Sequence, residues 1–295
     1  MAVTDIETNG QVRTSRTAEI VCALRAAETR RSERRRFIDD PYARHFIQSA
    51  VYRALCASRP AAALTRTVFD RRYPGYLAIV LLRNRCSEQL LAAARAEGIR
   101  QVVLLGAGFD STGLRVPLGD MTLFEVDAPP TQRTKRAVLE GLGVVAPTRY
   151  VACDFERDGL PERLIGAGFD PLIPSLILWW GVSFFLTQDA VHATLAHVGG
   201  LAAPGSRFAF DYLDAAVLDG TTACVGARRA SAAVRRRGEP YRFGLTRSGA
   251  SDLLTSNGFS VVDNLSIPQL ADRFGTPSFD YRTDDFFGVL TGRRQ

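Results

Sequence analysis

The sequence predicts a doubly wound α/β fold, a mostly parallel seven-stranded sheet of Rossmann-like type with a helical N-terminal cap. Three observations carry this. From residue 101 onward, short near-continuously apolar runs alternate with helix-patterned stretches, as parallel strands covered on both faces do. The first run ends in a glycine turn, and the next two end in aspartates. Residues 15–97, by contrast, read mostly as helix.

The elements follow in order. TAEIVCALRAAETR (17–30) carries apolar residues at helical spacing. Residues 39–58 predict a second helix, with Asp39 or Asp40 as its cap and Pro41 in its first turn. A third, 76–98, ends on the stop signal Gly98. Strands are expected at 101–106, 122–127, 149–154, 175–181, 207–213, 259–265 and 286–292. Helices are expected between them at 131–142, 157–167, 187–202 and 246–257. Only a loop-rich stretch separates the last two strands, which allows one of them to run antiparallel. No repeat or long linker divides the chain, so residues 1–97 are expected as a cap and 98–295 as one compact unit.

Composition narrows the function classes. With 46% hydrophobic and 23% charged residues the chain matches an ordinary soluble globular protein. No apolar run approaches the roughly 18–20 residues that span a bilayer, and the first residues lack the apolar core of a secretory signal, so a cytoplasmic protein with no membrane partner is expected. The five cysteines contain no C-x-x-C pair, which points to free thiols rather than disulfides or zinc. The three histidines are too few and too scattered for a metal centre. The net charge of +6 comes largely from arginine, including RRSERRR at 30–36. Without exposed aromatics or a recognition module beside it, that run reads as a solvated face rather than a nucleic-acid surface. Some of these arginines can attract an anionic small substrate.

The glycine turn, VVLLGAGFDSTGLR (102–115), is the most informative stretch. In doubly wound sheets the ligand sits beyond the carboxyl ends of the strands. Gly106, Ala107 and Gly108 let the backbone turn tightly and approach a ligand. A dinucleotide fingerprint would need a third glycine where Ser111 stands, and Asp110 puts negative charge where phosphates would lie. That disfavours a nicotinamide-dependent oxidoreductase. An adenosyl ligand without phosphate is compatible. The second strand ends in Glu125-Val126-Asp127, with Asp127 standing 21 residues after Gly106 as a ribose partner. The third ends in Asp154-Phe155, an acceptor for an adenine amine beside an aromatic ring. S-adenosylmethionine is the common cofactor of that description.

These segments resemble the leucine carboxyl methyltransferase family, which includes bacterial O-methyltransferases of polyketide biosynthesis. The resemblance rests on RQVVLLGAGFDSTGLR, FEVDAPPTQRTKR, YVACDFERD and DDPYA, and runs in order from about residue 17 to 213. It implies a class I methyltransferase fold, S-adenosylmethionine as cofactor and a carboxylate as the usual acceptor. It further implies that Arg83, or failing it Arg85, binds the cofactor's carboxylate through paired hydrogen bonds. Arg25 matches a basic residue near the same pocket. One departure stands out: Trp180 falls where the family carries a glutamate for the cofactor's amino group, and Phe185 where it carries a tyrosine. The ring face of Trp180 can meet a cation instead, or the amino group can turn to backbone carbonyls and Asp110.

Methyl transfer needs the nucleophile held in line and water excluded. No base is obviously aimed at the site; His45 in the cap and Tyr212 are the only candidates, and His192 and His197 read as structural or exposed. A carboxylate is ionised at neutral pH and needs no base, which favours it as acceptor. Trp179, Phe184, Phe185 and Tyr212, with Arg25, would suit a flat apolar acid. The arginine- and alanine-rich composition suggests a GC-rich bacterial genome and a polyketide-like acceptor. Two alternatives stand beside this: a C- or N-methyltransferase or non-methylating relative, and a non-catalytic binding protein. Helical N-terminal extensions can pair two copies, so a homodimer stays open.

Overall fold

The computed structural model describes residues 16–295. The first fifteen residues of the expected cap lie outside that range. Helices α1 (Arg16–Thr29), α2 (Ala50–Ala57), α3 (Arg59–Arg72) and α4 (Tyr76–Ala96) come first. Then follow β1 (Gln101–Leu105), α5 (Thr112–Arg115), β2 (Thr122–Asp127), α6 (Pro129–Gly141), β3 (Thr148–Ala152), α7 (Leu160–Gly166) and β4 (Ser175–Trp179). The chain continues through α8 (Gln188–Leu201), β5 (Arg207–Leu213), α9 (Ala215–Leu218), α10 (Val225–Arg236) and α11 (Arg247–Ser256), then β6 (Phe259–Ser266), α12 (Ile267–Phe274) and β7 (Phe287–Arg294).

The seven strands form one sheet in the order β3-β2-β1-β4-β5-β7-β6. The first five are parallel, while β7 runs antiparallel to both β5 and β6. Connections cross over in opposite directions on either side of β1 and β4, which opens a crevice at their carboxyl ends. All five residues of β1 and of β4 are buried, as expected for strands with helices on both faces. Trp179, Phe208 and Phe210 fill one side of the sheet with α8, while Val102, Leu104 and Leu178 pack on the other against the end of α4. Gly98, just past α4, has φ of +78°, the left-handed stop its position predicted.

The expected single helix over 39–58 does not form. Asp40 Oδ1 takes the backbone N–H groups of Tyr42 and Ala43 in a turn, a short 3₁₀ segment covers Ala43–Phe46, and Ser49 caps a new helix by accepting from Tyr52 N–H. Two polar side chains satisfying local backbone groups thus outweigh the apolar spacing. Helices α3, α10 and α12 are further elements that periodicity had not marked. The start of α12 carries a readable signal: Ser266 and Gln269 form a reciprocal capping box ahead of Pro268.

Candidate functional site

The crevice is an open-mouthed cavity of about 230 Å³. Its floor is built by the residues that follow β1, β2, β3 and β4, and its roof by α1 and α4.

The β1 turn is shaped by close approach. Gly106 has φ of +64°, and a Cβ there would lie 2.2 Å from the Val182 side chain of the neighbouring β4 turn. Gly108 has φ of +47°, and a Cβ there would meet nothing nearer than 3.9 Å, because its open side faces the cavity. Asp127 at the end of β2 accepts the Gly108 N–H through Oδ2 and the Ala128 N–H through Oδ1. Each oxygen keeps a lone pair for a ligand. Burial pushes the Asp127 carboxyl above its ordinary range, against the pull of those two N–H groups. Asp154 Oδ1 accepts from Glu156 N–H at 3.0 Å and lines the cavity beside Phe155.

Asp110 occupies the start of α5, where its Oδ1 accepts the Thr112 N–H at 2.6 Å. Burial works against its charge, but Arg25 and Lys135 together hold it below the usual carboxylate range. An ionised carboxylate on the backbone donors that would otherwise cradle a phosphate excludes a pyrophosphate. Two further carboxylates, an aromatic ring and a phosphate-repelling turn fit an adenosyl group.

Arg83 reaches the cavity from the middle of α4. Its Nη1 lies 3.3 Å from Asp211 Oδ2, and Asp211 Oδ1 accepts the Gly181 N–H at 2.6 Å. The fully buried Asp211 therefore fixes both the guanidinium and the turn after β4. Trp180 lines the cavity with its ring orientation set by an Nε1–H bond to Ser87 at 2.9 Å. Phe184 and Phe185 add an aromatic wall, in which their ring centroids lie 4.9 Å apart. Arg25 also lines the cavity, yet its guanidinium is engaged, with Nη1 2.9 Å from Asp40 and Nη2 donating to Phe109 O at 2.7 Å.

The structure thus brings Gly106, Ala107, Gly108, Asp110, Asp127, Asp154, Phe155, Arg83, Arg25, Trp180, Phe184 and Phe185 to one cavity. Six other expected residues lie elsewhere. Glu125 faces away from it and pairs with Lys135, the only lysine in the sequence, at 2.6 Å. Val126 is core. Trp179 is wholly buried in the β4 core, because alternation along the strand sends it to the opposite side from Trp180. Tyr212 is buried on β5 and donates its hydroxyl to Asn264 at 2.7 Å. His45 sits outside the cavity, accepting from Arg44. The fallback Arg85 is paired with Glu88 on the surface. Asp211 and Ser87 were not foreseen, although a lone acid inside the apolar run RFAFDYL was a signal.

A family profile described as leucine carboxyl methyltransferase matches residues 18–199, more than half of the chain. The chain belongs to the leucine carboxyl methyltransferase family. Among similar members is a Mycolicibacterium smegmatis protein named "Putative S-adenosyl-L-methionine-dependent methyltransferase", 34% identical over 215 residues and covering 68% of each chain. A Mycolicibacterium gilvum protein of the same name is 36% identical over 209 residues, 66% of each chain. In fold, the chain is similar to a Streptomyces avermitilis protein of the duf574 family (TM-score 0.57, 17% identity, 81% of this chain and 92% of that one). A Thermobifida fusca protein is similar to the same degree (TM-score 0.55, 16% identity, 83% and 93%). The family's match ends before β5, so Asp211 lies outside it.

Proposed function

We propose that this member of a methyltransferase family is an S-adenosylmethionine-dependent O-methyltransferase. Its acceptor would be a small, flat, apolar acid of polyketide or similar origin, methylated at the carboxylate. The observation that carries the reading is the convergence of Asp127 and Asp154 on a glycine turn whose helix start Asp110 already fills.

The cofactor, when bound, supplies an electrophilic methyl group on a sulfonium. Asp127 would accept from the ribose hydroxyls and Asp154 from the adenine amine, with Phe155 along the ring. Arg83, held by Asp211, would take the carboxylate of the amino-acid end. The face of Trp180 would meet the ammonium, a contact worth about 0.5–2 kcal/mol. Phe184 and Phe185 would wall the acceptor and keep water from the reacting atoms. Neither His45 nor Tyr212 reaches the cavity, so an acceptor that is already ionised suits the site best.

Calorimetric titration with S-adenosylmethionine is expected to show saturable binding, and no heat at millimolar ligand would remove the reading. One observation favours a second possibility: the indole of Trp180 can donate but not accept a conventional hydrogen bond to the amino group. A cofactor held differently can serve carbon or nitrogen methylation, or assist a reaction without transfer. Product mass separates these outcomes, since methylation adds one CH₂ and assistance adds none.

A further inference from the structure

The cap carries the chain's positive charge. Residues 30–72 hold eleven arginines against four acidic residues, a net of +7 where the whole chain has +6. Three of those four acids are already engaged, Asp39 with Arg36, Asp40 with Arg25 and Asp70 with Arg282. Arg34, Arg35, Arg53, Arg59, Arg71 and Arg72 are exposed, so the surplus charge stands at the surface.

Between its arginines the same surface is apolar. On α2, Val51 and Leu55 are one turn apart and stand 66% and 39% exposed. On α3, Leu64 and Val68 repeat the spacing at 65% and 56%. The Thr65 hydroxyl donates to Leu55 O at 2.9 Å, which sets the end of α2 against the middle of α3. Along the outer face of α3, positions 60, 63, 64, 67 and 68 are exposed and uncharged, with Arg59 before them and Arg71 and Arg72 after. Arg229 Nη1 donates to Arg72 O at 3.2 Å, so the exposed Arg229 and Arg236 of α10 extend this basic rim.

The rim's chemistry selects the occupant. A second copy would set arginine against arginine, a costly juxtaposition. A docking helix needs a groove, yet Val51, Leu55, Leu64 and Val68 line neither the main cavity nor the small cleft between α1, α3 and α10. Protein hot spots favour aromatic anchors over leucine and valine, and the large apolar side chains exposed among the described residues are all aliphatic. A nucleic acid matches the arginines but not the aliphatic residues between them. An anionic lipid surface takes both, its phosphates facing the guanidinium groups and its acyl boundary the aliphatic side chains.

We propose that the α2–α3 hairpin docks this protein on an anionic lipid surface, with Leu64 and Val68 entering the headgroup layer. Among the described residues no helix is long and apolar enough to cross a membrane. That bears on spanning, whereas this contact is peripheral. The docking goes beyond the methyltransferase reading and does not depend on it.

The test is flotation of the full chain with vesicles of phosphatidylcholine, alone or mixed with phosphatidylglycerol. Wild type is expected to float with the mixed vesicles, to float poorly with phosphatidylcholine alone, and to be released by high salt. Leu64→Ser combined with Val68→Ser should weaken binding about tenfold, and Arg71→Gln combined with Arg72→Gln by a similar factor. All four side chains are exposed, so both double variants should melt as wild type does. Leu172→Ser, at an exposed apolar position outside the cap, should float unchanged. No flotation with the mixed vesicles would overturn the proposal. So would flotation that Leu64→Ser with Val68→Ser leaves intact, since charge alone would then carry it. Dimers in sedimentation that this double variant dissolves, without flotation, would assign the face to a second copy. Tighter binding to an amphipathic glutamate–leucine helix than to the vesicles would assign it to an acidic protein. Either result overturns lipid docking.

Discussion

Arg83 on α4 and Asp211 on β5, 128 residues apart in the chain, meet at 3.3 Å beneath the cavity. The same aspartate takes the Gly181 N–H of the turn after β4. One buried carboxylate therefore ties the roof helix to the switch-point turn, and the guanidinium is delivered to the cavity already oriented. Preorganisation of this kind reduces the ordering that a ligand must impose.

Arg83→Ala should weaken S-adenosylmethionine binding about ten- to a hundredfold, the loss of charged hydrogen bonds to a carboxylate. Asp211→Asn touches no ligand, yet it removes the charge that holds Arg83, and a loss of about fivefold is expected. Calorimetric affinities check both. Unchanged binding in Arg83→Ala would show that the amino-acid end lies elsewhere.

Cofactor affinity should depend on acid. Burial raises Asp127 above the ordinary carboxylate range, the N–H groups of Gly108 and Ala128 opposing it only in part. It therefore takes up a proton at a higher pH than an exposed aspartate does. The ionised form is the better acceptor for ribose hydroxyls, so affinity is full above the raised pKa and falls as pH drops through it. Asp127→Asn should bind more weakly at neutral pH and show no such fall. Dissociation constants measured from pH 8 downward, over the range in which the fold persists, decide it.

The two adjacent tryptophans should separate cleanly. Trp179 is wholly buried and its indole N–H has no partner among the described residues, so Trp179→Phe exchanges a small void for the removal of an unsatisfied donor. Stability should shift by no more than about 1–2 kcal/mol, with affinity unchanged. Trp180→Phe breaks the bond to Ser87 and takes the larger ring from the cavity. It should weaken cofactor binding severalfold. Ligand-induced quenching of indole fluorescence should persist in Trp179→Phe and vanish in Trp180→Phe.

Arg25 tests the difference between a binding residue and a structural one. Its pair with Asp40 is almost fully buried, at 3% and 0% side-chain exposure. Removing Arg25 leaves the buried Asp40 carboxylate with Arg115, 4.0 Å away, as its remaining cation, so the cost should fall at or below the lower end of the roughly 3–5 kcal/mol of a fully stranded charge. Arg25→Ala should lower the urea midpoint by that equivalent. Wild-type stability in Arg25→Ala, combined with lost acceptor binding, would instead make it a substrate residue.

The sheet was legible almost residue by residue. Strand expectations such as 101–106 and 122–127 differ from β1 and β2 by at most one position. Buried parallel strands write themselves as apolar runs, and their carboxyl ends must face the switch point, which is why Asp127 and Asp154 reached the cavity as expected. The cap was harder. Helices of moderate periodicity are bounded by single polar side chains, as Ser49 and Asp40 show, and that competition is weakly marked in sequence.

By itself the sequence determined the sheet, the glycine turn and the two acids beside the cavity, because each depends on local pattern and on strand ends. Which aromatic of the pair 179–180 faces that space was decided by tertiary structure, through the pleat of β4. Tertiary structure alone also joined Arg83 to Asp211, packed Tyr241 against Phe184 and Phe185, and committed Arg25 to Asp40. Those are contacts between residues remote in sequence, and their energy comes from desolvation and pairing that exist only once the helices have closed over the sheet.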